Sequence, residues 1–218
     1  MTAHVNGIGI YYEKTGSGRA LVMLHGNGED HTIFDEAVGT LKNSFTCYCL
    51  DSRAHGQSTP DAPLHYDEMA RDVVCFIEQE GLNDVVLYGF SDGGITGLLA
   101  TAACRRITAL IVSGANLTPR GVKLSLMLTL RLIYCFKRDP KIALMLKEPD
   151  ISFEDLKKIT VPALVLAGSK DVIKESETRR IAVSIPGATL RILEGERHGS
   201  YIVHSEKIAG IIRDFVYQ

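Results

Sequence analysis

Short runs of apolar residues alternate with segments of helical periodicity along almost the whole chain, and this alternation limits the fold more than any other feature. Strand-like runs cover 8–14, 20–24, 45–50, 84–89, 107–113, 161–168 and 188–193. Helical spacing covers 34–42, 66–80, 95–104, 176–184 and 204–217; in the second of these Met69, Val73, Phe76 and Ile77 share one face. A strand that is apolar throughout, rather than at every second residue, is buried on both faces. The expectation is therefore an α/β fold, a mostly parallel, doubly wound sheet flanked by helices. A chain of 218 residues buries roughly 70% of its unfolded surface as one compact unit, so residues 1–218 are read as a single domain. Sheets of this kind place their sites beyond the carboxyl ends of the strands.

After the strand Val85-Val86-Leu87-Tyr88 comes Gly89-Phe90-Ser91-Asp92-Gly93-Gly94, and then an apolar helix. This is a G-x-S-x-G turn between a strand and a helix, the setting that lifts a serine hydroxyl to the top of a sheet. The glycines have a steric task there, because side chains two residues either side of the serine would collide in so tight a turn.

A serine hydroxyl is a weak nucleophile until a base takes its proton, so a histidine and a group to orient it are needed. His198 follows the last strand directly, whereas His4, His31, His65 and His204 lie at termini, in loops or at helix starts. Asp171 follows the strand over 161–168. The other strand end where an acid could serve reads Gly114-Ala115-Asn116-Leu117-Thr118 and carries none. The predicted triad is Ser91, Asp171 and His198. For the oxyanion, His25-Gly26-Asn27-Gly28 follows the strand over 20–24, and the backbone N–H groups of Asn27 and Asp92 are the expected donors.

Taken together, His25-Gly26-Asn27-Gly28, the loop Asp51-Ser52-Arg53-Ala54-His55-Gly56-Gln57-Ser58, the Ser91 turn and the Asp171 and His198 positions make the chain resemble the α/β-hydrolase superfamily along nearly its whole length. Members usually carry Gly where this chain has Ala54. The resemblance implies structural roles for His25, Arg53 and His55. It also implies a small cap, here over about 118–149, in which 121–137 and 140–147 read as helices; the first is expected either to shape the pocket, with Leu128 among the residues that do so, or to form an interface. Serine at 91 sets the chain apart from the dehalogenase and epoxide hydrolase branches, whose nucleophile is Asp. Haloperoxidase-like members commonly carry tryptophan near the pocket, and this chain has none.

The implied reaction is hydrolysis of a small carboxylic ester through an acyl-enzyme, with no metal or organic cofactor. A lactone, thioester, amino-acid ester or C–C bond next to a carbonyl is the alternative with the same triad, and a non-catalytic binding protein is the reading from another class. Asp92 stands beside the acyl site. Its preferred reading is an acid in the first turn of a helix; the alternative is attraction of a cationic substrate group.

Lys and Arg number 24 against 26 Asp and Glu, a net charge of −2, and they form no continuous basic block. Neither nucleic acid nor an anionic membrane is therefore expected as a partner; whether the cap is a lid or the interface of a homodimer is left open by the sequence. The five cysteines show no C-x-x-C pair, so neither disulfides nor a zinc site follow. The first residues lack the basic start and apolar run of a signal peptide, which makes the cytoplasm the expected compartment.

Overall fold

The computed structural model describes residues 1–217. Eight strands make one sheet: β1 (Thr2–Val5), β2 (Ile8–Gly16), β3 (Arg19–Leu24), β4 (Phe45–Leu50), β5 (Val85–Phe90), β6 (Ile107–Ser113), β7 (Ala163–Gly168) and β8 (Thr189–Leu193). Their spatial order is β1-β2-β4-β3-β5-β6-β7-β8. The pairs β1/β2 and β2/β4 are antiparallel, and all pairs from β4 to β8 are parallel. The mostly parallel, doubly wound sheet expected from the sequence is thus present.

Helices cover both faces: α1 (Asp35–Leu41), α2 (Tyr66–Gln79), α3 (Asp92–Ala103), α4 (Leu124–Lys137), α5 (Pro140–Lys147), α6 (Phe153–Leu156), α7 (Glu175–Ser184) and α8 (Lys207–Val216). Successive residues of each central strand feed opposite layers. On β3, Val22 and Leu24 join a core layer with Val73 and Ile77 of α2, Leu98 of α3 and Ile181 of α7. Leu21 and Met23 join the layer closed by Ala37 of α1 and by Ile208 and Ile212 of α8. Fully burying each Val, Leu, Ile or Met among these contributes about 1.5–3 kcal/mol. Cys47 and Cys49 share the second layer.

Several boundaries differ from the sequence reading. The helix after the Ser91 turn begins at Asp92 instead of residue 95, because Gly93 and Gly94 are helical despite their low propensity. The last helix begins at Lys207 instead of 204, as His204 takes a left-handed φ of 46°. β1 and α6 have only four residues each, too few for a periodic signal. The segment over 121–137 is a 3₁₀ turn at Pro119–Gly121 followed by α4. Leu128 is a plain correction. It is 54% exposed and points outward, while Leu126 and Leu130 of the same helix line a cavity beneath it.

Candidate active site

β5 delivers Ser91 to the carboxyl edge of the sheet in a strained conformation, φ 54° and ψ −115°, of the kind that costs about 1–3 kcal/mol and survives only where its surroundings enforce it. They do so here by close approach. A β-carbon on Gly89 would overlap the Gly93 carbonyl, and one on Gly93 would overlap the carbonyl of Leu24. The Ser91 N–H donates to the Ser113 carbonyl at 2.8 Å, fixing the turn against β6.

The three residues predicted to work together meet at this edge. Ser91 Oγ lies 3.0 Å from His198 Nε2, and His198 Nδ1 lies 2.7 Å from Asp171 Oδ1. That same carboxylate oxygen accepts the Ile173 N–H at 2.8 Å, which holds Asp171, only 2% exposed, in place beside the imidazole. Phe90 packs against the His198 ring with centroids 4.9 Å apart. Gly114 clears the space behind it: at φ 63°, a β-carbon there would stand 2.7 Å from His198 Cε1. The strand end without an acid thus serves the imidazole by being empty.

Asp92 occupies the first position of α3, where a backbone N–H has no partner inside the helix. Asn27 follows β3, and neither its N–H nor that of Asp92 has a backbone partner among the described residues. The side chains of these two residues are joined, Asn27 Nδ2 donating to Asp92 Oδ2 at 2.8 Å and also to the Lys141 carbonyl of the cap at 3.2 Å. Burial is the largest influence on the Asp92 carboxyl and pushes its pKa up, against hydrogen bonds from Asn27 and the Tyr66 phenol. Asp92 is therefore a buried brace in the pocket wall as well as a first-turn acid.

His25 holds the loops on which Asn27 stands. Its Nδ1 donates to the Gly26 carbonyl at 2.7 Å and its Nε2 accepts the Ser52 N–H at 3.0 Å, an arrangement that needs a neutral ring. Burial lowers its pKa to about 4. Arg53 makes a buried two-pronged contact with Asp72, 2.7 Å at each prong, and His55 Nδ1 donates to the Arg53 carbonyl. Ala54 takes φ 59°, so the loop keeps a left-handed turn without the usual glycine.

Above Ser91 is a cavity of about 270 Å³, at the small end of ligand pockets. Val122, Leu126 and Leu130 from the segment leading into and through α4, with Ile142 and Met145 of α5, roof it. Glu29, Tyr66 and Glu148 also line it, and sequence reasoning missed all three. Glu29 Oε2 accepts the Gly26 N–H at 2.9 Å, and burial raises the Glu29 pKa. Glu148 accepts the Tyr66 N–H and pairs with His65 at 2.6 Å, tying the end of α5 to the start of α2. An acid three residues past the first glycine of a Gly-rich turn was the available signal for Glu29. Glu148 had none, since only the fold brings α5 over α2. No Lys or Arg is among the residues that line the cavity.

Among the described residues, one group could offer metal ligands from within 4.8 Å of one another, Asp30, His31 and Asp51. Its oxygens are engaged structurally. Asp51 accepts the N–H groups of His31 and Gln57, and Asp30 caps the turn at Thr32. Among the described residues no helix is long and apolar enough to cross a membrane.

A sequence profile of the Alpha/beta hydrolase family matches residues 21–147. A curated relative, the serine hydrolase BPHL of Homo sapiens, is 37% identical over an alignment of 120 residues that covers 51% of this chain and 41% of the relative. The matched region thus spans well under half of that relative's length. Among solved structures, the esterase EaEST from Exiguobacterium antarcticum superposes with a TM-score of 0.88 at 23% identity, covering 100% of this chain and 99% of that one. The enol-lactonase from Burkholderia xenovorans LB400 superposes with a TM-score of 0.79 at 21% identity, covering 100% of both chains.

Proposed function

The chain belongs to the alpha/beta hydrolase family, and we propose that it is a serine hydrolase that cleaves small carboxylic esters through an acyl-enzyme on Ser91. The observation that carries this reading is the unbroken run from Ser91 Oγ through His198 to the Asp171 carboxylate, opening on a cavity large enough for a small acyl group.

In the proposed reaction His198 Nε2 takes the Ser91 proton as Oγ attacks the ester carbonyl carbon. The oxyanion that forms is met by the N–H groups of Asn27 and Asp92; each such donor contributes on the order of 2.7–4 kcal/mol to the transition state. His198 then passes its proton to the leaving alcohol, water attacks the acyl-serine with His198 again as base, and the acid departs. Asp171 holds the tautomer with the proton on Nδ1 and steadies the imidazolium. The mostly apolar roof suits an uncharged acyl chain, and its narrowness suits a short one.

A second reading, an ester whose acyl part carries an ammonium group, is favoured by one feature. Glu29, Asp92 and Glu148 all line the cavity, and no Lys or Arg does. A cation would gain from these partly desolvated carboxylates, whereas an anionic acyl group would be repelled.

The test is hydrolysis of p-nitrophenyl esters of increasing acyl length, with an aminoacyl ester of matched size, by the parent protein and by Ser91→Ala. Serine-dependent turnover with a preference for short acyl groups is expected. Higher kcat/KM for the aminoacyl ester, reduced by Glu29→Gln, would select the second reading. Turnover that persists in Ser91→Ala would reject both.

A further inference from the structure

The outer side of the cap carries a feature that ester hydrolysis leaves unused. Leu124, Leu128, Leu132 and Phe136 recur at every fourth residue of α4, so they form one row along it. They are 66, 54, 63 and 82% exposed. Met127 and Leu130 of the same helix are buried. The row therefore faces away from the pocket and from the core.

The charge around this row is one-sided. Residues 118–147 contain seven Lys or Arg and a single acid, Asp139, whose carboxylate is occupied as the cap of α5 by the Lys141 N–H. Lys123, Arg131, Lys137 and Arg138, all exposed, stand on α4 or at its ends. Because the whole chain is net −2, its acid excess lies outside the cap, and the molecule has a positive end where the apolar row is.

We propose that this face docks on an anionic lipid bilayer, with α4 lying in the plane of the interface. Leu124, Leu128, Leu132 and Phe136 would enter the boundary of the acyl chains, and the Lys and Arg side chains would meet the headgroups. α4 is apolar on its inner side as well, where it packs on the pocket; its exposed side alone, a row of Leu and Phe with only basic charges beside it, presents what an interfacial surface presents, and anionic headgroups supply the counter-charge. A second copy of the chain fits this face less well. Two-fold antiparallel pairing of the rows sets Arg131 near Arg131 and Lys123 near Lys137, like charge against like. The sequence contains no continuous basic block and so gives no hint of this surface, because its basic residues are spaced along the cap and only helix α4 lines them up with the leucines.

The experiment is co-sedimentation of the full chain with vesicles of phosphatidylcholine alone or of phosphatidylcholine and phosphatidylglycerol in equal parts, at low and high salt. Binding to the anionic vesicles at least about tenfold stronger than to the neutral ones, and weakened by salt, is expected. Two variants should each abolish that difference: Leu128→Glu with Phe136→Glu, and Arg131→Gln with Lys137→Gln and Arg138→Gln. The second changes only exposed polar side chains, so it keeps the test valid if the first misfolds. Serine-directed labelling and ester turnover in solution should stay at the parent level in both, since neither alters the pocket. Equal binding to both vesicles, or variants that bind like the parent, would overturn the proposal. So would a dimer dissociated by Leu128→Glu in a protein that ignores vesicles. None of these outcomes depends on whether Ser91 is a nucleophile.

Discussion

The Ser91 turn and the α4 helix are held in opposite ways. At the turn every backbone position is hemmed in: Gly89 and Gly93 have no room for a β-carbon, Ser91 is strained, and its N–H is fixed to Ser113. α4 is joined to the body by a short backbone stem, where Lys123 N–H donates to the Val172 carbonyl at 2.8 Å and Val122 bridges Ile173. Beyond the stem it is held by one side only, and Phe136 in its last turn is 82% exposed. The chemistry rests on geometry that very few substitutions leave intact. The size of the pocket rests on side chains that can be exchanged singly.

The largest break in the rigid half should come from acid. His25 titrates near 4 when folded against about 6.5 when unfolded. The unfolded chain therefore binds the proton first, and stability is lost as pH falls from about 6.5 towards 4, by about 3 kcal/mol from this residue alone. Urea unfolding at pH 7 and pH 4.5 should show that slope in the parent and a shallower one in His25→Gln. Equal slopes would mean that the ring is not held neutral between Gly26 and Ser52.

Gly114→Ala comes next. Its β-carbon would press on His198 Cε1 and require a positive φ of an alanine, and a misplacement of the base by about 1 Å costs roughly a hundredfold in kcat. Unchanged kcat with a lowered melting temperature would show that the imidazole can relax around the methyl group.

The cap should respond more mildly and on one side only. Leu130→Ala, beneath α4, should shift the preferred acyl group to a longer one, with a change in relative kcat/KM of about tenfold. Leu128→Ala, on the outside, should leave the preference unchanged. A shift from Leu128→Ala would reverse the assignment of the two faces. The smallest effect concerns the left-handed turn in the loop after β4. Ala54→Gly should raise stability by about 1 kcal/mol, measured by denaturant unfolding, without changing turnover.

The order of strands and helices was legible because burial on both faces leaves uninterrupted apolar runs, as in β5, β6 and β7. Ser91, Asp171 and His198 were legible because each directly follows a strand whose end lies at the same edge. Glu29, Tyr66 and Glu148 were not, since the loop after β3, α2 and the end of α5 meet only in space. The direction in which Leu128 points was hidden for a different reason. α4 is apolar nearly all round, so its sequence has no phase to say which side is inward.

The most direct test of the account is intact-mass measurement of the protein quenched during turnover of a short p-nitrophenyl ester, followed by peptide mapping. The account predicts one acyl group on Ser91, accumulating in a burst, absent from Ser91→Ala and strongly slowed in His198→Ala. Turnover with no acyl group on Ser91, at the same rate in Ser91→Ala, would contradict it.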